Sequence, residues 1–211
     1  MKLTEGDTTA RYEIIVLAGG GARRLGGRDK PGLVVGARTL LETVVGASAG
    51  AERIIVVGPR RAGLDRVLFV QETPPGAGPL PALRCGLAEV TEPWVALLAA
   101  DLPFLRAAQI GLVVRAAVEN ERGAVLADDA WQPQWLAGCW QTSALRAALA
   151  GYAGDSLRGV LGPLQPALIR PGLAPGEPPP WLDCDTPGDV DRARKLSRYR
   201  GEELHTHGSS G

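Results

Sequence analysis

The sequence predicts an α/β fold of three layers, with helices on both faces of a mainly parallel sheet. The run Ile14-Ile15-Val16-Leu17 delivers four β-favouring apolar residues straight into a glycine-rich turn, as a buried strand does at the edge of a sheet. Strand-like and helix-like patterns then alternate as far as residue 100, the signature of parallel crossovers. The stretch 94–100 is apolar throughout, as a strand covered on both faces must be.

Taken in order, 39–47 carries Leu40, Leu41, Val44 and Val45 at the spacing of an amphipathic helix. A strand over 53–57 is closed by Gly58-Pro59, and 67–70 forms another short one. The segment 79–90 reads as a helix with proline in its first turn. Beyond the strand at 94–100, the patterns predict a helix over 105–119, a strand at 123–127, a strand at 135–140 after the Gln132-Pro133 turn, and a helix over 143–150. The segment 171–180 holds five prolines in ten residues and reads as a loop. Thr186 is placed to cap a last helix that starts at Pro187 and runs through Val190, Ala193 and Leu196. No internal repeat is present.

With 211 residues the chain fits one domain, over 1–198, with a core large enough to need no staples, and 199–211 reads as a disordered tail. Lys and Arg number 23 against 23 Asp and Glu, so the balance predicts no broad surface for nucleic acid or membrane. Cys85, Cys139 and Cys184 are odd in number and far apart, which argues against disulfides and zinc knuckles and for a reduced, cytoplasmic protein. No apolar run approaches the length that spans a membrane. The only histidines are His205 and His207, in the expected tail. Histidine bases, triads and His-bound zinc are therefore not expected in the folded part, and chemistry falls to carboxylates, Lys, Arg, backbone amides and a hard metal ion.

Ligands of parallel α/β sheets sit beyond the carboxyl ends of the strands, which places the loops 19–30, 58–61, 71–78 and 101–104 on one rim. The first of these looks built for phosphate: glycines let amides approach an anion, and the cations that follow can neutralise it. It is not a P-loop, because Lys30 follows Asp29 and precedes Pro31. Nor is it a dinucleotide fingerprint, because Arg24 stands where glycine or alanine is needed.

What remains is Leu17-Ala18-Gly19-Gly20, a spacer, Arg24, Leu25-Gly26-Gly27 and Asp29-Lys30, which resembles the signature loop of the molybdenum cofactor guanylyltransferase (MobA-like nucleotidyltransferase) family. The resemblance runs over roughly 13–195 and implies a Rossmann-like sheet of the nucleotidyltransferase type. It also implies transfer of GMP from GTP to molybdopterin with release of pyrophosphate, and Mg²⁺ as the cofactor. Protein partners would be molybdoenzymes or other cofactor-biosynthesis proteins.

Carried over residue by residue, the resemblance implies catalytic roles for Arg24, Lys30 and Asp101, and nucleotide binding by Leu17, Ala18, Gly19, Gly20, Lys30, Glu72, Gly78 and Asp101. Glu72 matches the acid that precedes the family's base-recognition loop, and a carboxylate suits guanine because it can accept from the paired N1–H and N2–H₂ donors. The chain departs from the family pattern at Pro81, where alanine is usual, and at Leu83, where glycine is usual. Asp101-Leu102-Pro103 matches the family's metal motif, and Asp185-Thr186-Pro187 matches its closing motif, so Asp101 and Asp185 are the implied Mg²⁺ ligands. On the residues alone, Asp101 is equally placed to cap a helix and Asp185 to shape a turn.

The segment around Gln132-Pro133 occupies the place of the family's acceptor wall, while Trp131, Trp135 and Trp140 read as core or rim packing. The nearest alternative keeps the fold and changes substrates: a cytidylyltransferase, or a nucleotidyltransferase for a sugar 1-phosphate or another phosphorylated acceptor. A second alternative is a non-catalytic nucleotide-binding partner of a molybdoenzyme.

Overall fold

The computed structural model describes residues 10–19 and 29–206, with side chains as far as 198. Arg24 and Gly20, both expected in the site, lie outside the described residues, as do 207–211 at the end of the expected tail.

In chain order the strands and helices are β1 (Tyr12–Leu17), β2 (Val34–Val35), β3 (Arg38–Thr39), α1 (Leu40–Ala47), β4 (Ile54–Val57), β5 (Val67–Val70), α2 (Pro79–Glu89), β6 (Trp94–Ala99), α3 (Ala107–Asn120), β7 (Gly123–Ala127), β8 (Pro133–Gln141), α4 (Thr142–Ala150), α5 (Leu157–Leu161), β9 (Ala167–Ile169) and α6 (Pro187–Thr206). Seven strands form one sheet in the order β5-β4-β1-β6-β8-β7-β9. The pairs β5–β4, β4–β1 and β1–β6 are parallel, as the alternation of strand and helix patterns requires.

Successive residues of β1 face opposite sides, and all are apolar after Glu13, so the strand feeds two cores. Ile14 and Val16 pack with Leu41 and Val44 of α1 and with Ile110, Val113 and Val114 of α3. Ile15 and Leu17 pack with Leu80, Leu83 and Leu87 of α2 and with Leu145 and Leu149 of α4. This is the expected three-layer arrangement.

Local chemistry fixes each helix start. Thr39 closes a capping box on α1: its Oγ1 accepts from Glu42 N at 3.2 Å, and Glu42 Oε2 accepts from Thr39 N at 2.7 Å. Gly78 caps α2 with φ +111°, in the region glycine tolerates, and Pro79 opens the helix. Further along α2, a Cβ on Gly86 would lie 2.9 Å from Ile15 and Val57 side chains, so glycine is what lets the helix sit tight on the sheet. Two arginines lock α2 to α4 reciprocally. Arg84 of α2 donates to Leu149 O and Tyr152 O at the end of α4, and Arg146 of α4 donates to Leu87 O and Val90 O at the end of α2.

Four features differ from the sequence reading. Strand β8 is antiparallel to both β6 and β7, because the short turn at 128–132 can join only antiparallel neighbours. Asp128 Oδ1 organises that turn by accepting from Ala130 N and Gln132 N. Second, the ribbon β2–β3, the helix α5 and the edge strand β9 have sequences too short for a periodic signal. Third, α6 continues to Thr206, past the expected start of the tail, since no proline interrupts it after Pro187. Fourth, the loop at 58–61 does not join the other three loops around the cavity but meets the chain before Lys30, where Arg61 hydrogen-bonds Asp29.

A third, smaller core matters most for the site. Val35, Leu40, Phe104, Cys184, Val190 and Ala193 pack together and so bind the ribbon after Lys30, the loop after Asp101 and the segment around Asp185 into one body. No helix among the described residues is long and apolar enough to cross a membrane.

Candidate active site

Strands β1 and β6 end side by side, with Ala100 N donating to Leu17 O at 3.1 Å, and the chain then leaves each of them toward one cavity. This cavity has a volume of about 480 Å³. Leu17, Ala18, Gly19, Lys30, Glu72, Gly78 and Asp101 all line it, so every described residue expected to contact nucleotide is brought there. Pro133 to Ala137 of β8, with Leu157 and Trp181, form another part of the lining.

Lys30 opens a 3₁₀ turn whose preceding residue, Asp29, is gripped by both terminal nitrogens of Arg61. That grip is the contribution of the loop at 58–61, which does not line the cavity. Hydrogen bonding to Arg61 holds the Asp29 carboxyl below its ordinary range despite some burial. Lys30 reaches inward and pairs with Asp101 and, at 2.5 Å, with Asp185. Burial alone would lower the pKa of this ammonium, but the two carboxylates outweigh it and raise the value above that of a free lysine.

Asp101, Asp183 and Asp185 each present a carboxylate oxygen, all within 4.8 Å of one another. The two implied metal ligands therefore converge on one point. Asp183 was not singled out from the sequence, although a signal was there. In an extended segment alternate residues share a side, so burial of Cys184 in the core sends Asp183 and Asp185 out together. Burial, and then the charges of Asp185 and Asp101, push the Asp183 carboxyl up. Burial likewise raises the Cys184 thiol to about 12, so it serves as an apolar anchor. Three clustered acids facing a lysine in a phosphate-sized cleft are a donor set suited to a hard divalent cation.

Glu72 is 6% exposed. Its Oε1 accepts from Gly76 N at 2.8 Å, while among the described residues its buried Oε2 has no hydrogen-bond partner. It also stands against the first loop, since a Cβ on Gly19 would lie 3.5 Å from Oε1. The departures at Pro81 and Leu83 do not face the cavity: Leu83 is fully buried in the core, and Pro79 and Ala82 are the α2 residues that line the wall. The three tryptophans divide. Trp140 is fully buried, Trp135 stacks near it with ring centroids 6.5 Å apart while lining the cavity, and Trp131 is 53% exposed beneath Arg170.

Comparison with known families decides what this arrangement belongs to: residues 14–167 match the model of the MobA-like NTP transferase domain. The chain is a member of the MobA-like NTP transferase family. The matched span includes Lys30, Glu72 and Asp101, whereas Asp183 and Asp185 lie beyond it.

Relatives of this MobA-like chain are named as molybdenum cofactor guanylyltransferases. A probable molybdenum cofactor guanylyltransferase of Opitutus terrae is 35% identical over 140 residues, covering 63% of this chain and 68% of the relative. The molybdenum cofactor guanylyltransferase of Bradyrhizobium sp. is 28% identical over 203 residues, covering 90% of this chain and 95% of the relative. Among solved structures, molybdopterin-guanine dinucleotide biosynthesis protein A from Archaeoglobus fulgidus superposes with a TM-score of 0.65 at 16% identity, over 89% of this chain and 99% of that one. The 2-C-methyl-D-erythritol 4-phosphate cytidylyltransferase from Thermus thermophilus reaches 0.68 at 21% identity, over 89% and 99%. At such identities the two structures establish a shared nucleotidyltransferase fold.

Proposed function

We propose that this chain is a molybdenum cofactor guanylyltransferase that transfers GMP from GTP to the terminal phosphate of molybdopterin and releases pyrophosphate. The observation that carries the proposal is one cavity lined both by the Lys30–Asp101–Asp185 cluster, suited to a metal-bound triphosphate, and by Glu72, whose buried Oε2 has no partner among the described residues. A buried carboxylate oxygen without a partner is costly, and two adjacent N–H donors of guanine are a ligand that would satisfy the Glu72 carboxylate. Relatives named as guanylyltransferases support the same choice of base.

In this scheme the acceptor phosphate attacks the α-phosphorus in line, a new P–O bond forms, and the bond to the β-phosphate breaks. A phosphate monoester is already anionic near neutral pH, so no general base is required, in keeping with the absence of histidine before His205. Lys30, Arg24 and the amides of Gly19 and Gly20 neutralise the triphosphate and the departing pyrophosphate, while the Ala18 amide stays engaged with Val57 O at 2.9 Å. Asp101 and Asp185 would hold Mg²⁺, and Asp183, whose carboxylate lies within 4.8 Å of both, would support it from the side. When bound, Mg²⁺ supplies charge neutralisation between the phosphates. Gln134, Trp135 and Trp181 form the acceptor wall. The enzyme works in the cytoplasm, and molybdoenzymes or their assembly proteins receive its product.

The test is pyrophosphate release with purified molybdopterin, Mg²⁺ and each of GTP, CTP, ATP and UTP. Release dependent on acceptor and confined to GTP is the expected result. Equal release with CTP would move the chain to the cytidylyltransferases, and no release with any nucleotide would leave a binding module.

A further inference from the structure

Lys30 does not point into empty space while waiting for a nucleotide. Its Nζ rests on Asp101 and on Asp185, two of the three acids that converge within 4.8 Å, and its side chain is only 19% exposed. A divalent ion bound to carboxylates sits about 2.0–2.1 Å from each oxygen in the case of Mg²⁺. The ammonium already lies at contact distance from the same carboxylates. Two cations cannot share that position in a partly buried cleft without strong repulsion.

Lys30 also lines the cavity and sits at the start of its 3₁₀ turn, directly after the glycine loop. Its long, flexible side chain can therefore exchange one anion for another when a triphosphate arrives.

We infer that Lys30 is the resident counter-ion of the acidic cluster, so that a divalent cation and Lys30 exclude one another until nucleotide phosphates draw the lysine away. This rests on the reading that the three acids form the metal site, and it assigns Lys30 a second role beyond phosphate contact. Metal then enters the site with the nucleotide rather than ahead of it. By linkage, whatever the lysine subtracts from metal affinity in the free protein is returned when nucleotide binds.

Mn²⁺ serves as the probe, with its free concentration read by electron paramagnetic resonance in the presence of the full chain and no nucleotide. Lys30→Met, which keeps an unbranched side chain one atom shorter and removes the charge, is expected to bind Mn²⁺ about tenfold more tightly than wild type, within the ordinary range of coupling between sites. Lys30→Arg is expected to stay as weak as wild type. Lys30→Gln is a second neutral variant in case the Met form does not fold. Equal Mn²⁺ affinity in wild type and the neutral variants, or weaker binding or none in those variants, overturns the inference. Should the nucleotide-free comparison fail, a parallel titration with a non-hydrolysable GTP analogue separates the two readings: absence of protein-bound Mn²⁺ there as well removes the metal site itself, whereas Mn²⁺ binding there leaves the metal site standing and removes only the counter-ion role.

Discussion

Lys30 and Asp185 stand 155 residues apart in the chain and meet at 2.5 Å, Nζ to Oδ1. The contact joins the loop after the first strand to the segment before the last helix. It is held from behind by a small core in which Val35 and Leu40 follow Lys30 and Cys184 flanks Asp185. The proposed chemistry follows from this closure, because the cation that neutralises phosphate and the acids that hold metal are fixed to one body.

Lys30→Ala is expected to cripple turnover while leaving the fold intact, since Lys30 contributes nothing to the three hydrophobic cores. Loss of a charge-assisted contact to developing phosphate charge costs on the order of 2–4 kcal/mol in the transition state. Steady-state kcat and the thermal melting curve are the measurements. Wild-type turnover in the variant would make Lys30 a structural partner of Asp101 only.

Asp101→Asn is expected to lower kcat roughly a hundredfold or more and to raise the Mg²⁺ concentration for half-activity, because the cleft loses a charged ligand where charge develops. Asp185→Asn is expected to be milder, since the closing motif of the resembling family accepts Asn or Asp at the matching place and an amide oxygen still accepts from a metal-bound water. Mg²⁺ titrations of activity check both, and the reverse order of severity would contradict the assignment.

Glu72→Gln keeps Oε1 for Gly76 N but replaces the buried, unpartnered oxygen with a donor. The preference for GTP over ATP should then weaken by about 1–3 kcal/mol, the cost of a mismatched buried polar group. The ratio of kcat/KM values measures it. An unchanged ratio would assign base reading to backbone groups.

The Asp29–Arg61 pair predicts a small effect in acid. Hydrogen bonding to Arg61 lowers the folded-state pKa of Asp29, so its contribution to stability is complete above the unfolded value near 3.9 and is lost as pH falls through the folded value. The stability gap between wild type and Arg61→Gln should thus be constant from neutral pH down to about 4 and should close below it. Denaturant melts at several pH values check this, and a gap that widens in acid would contradict it.

Much of this was legible in the chain, for physical reasons. Residues of β1 and β6 are apolar on both faces, so their strands and the loops beyond them stand out, and with them Lys30 and Asp101. Asp185 emerged from a resemblance rather than from pattern, since a lone acid before Thr-Pro reads equally as a turn. Asp183 was overlooked although its alternation with the buried Cys184 encodes the shared direction. The reversal of β8 was also encoded, in a turn at 128–132 too short for a parallel crossover. Strand β9 was not: three residues, only partly buried, carry no period.

The most direct test of the central claim follows the phosphorus. GTP labelled at the α-phosphate and GTP labelled at the γ-phosphate are incubated separately with the protein, Mg²⁺ and purified molybdopterin, and the label is located after separation. Guanylyl transfer predicts α-label in the pterin product and γ-label in pyrophosphate. Label from the γ-position on the acceptor, or α-label that never leaves the nucleotide pool, would contradict it.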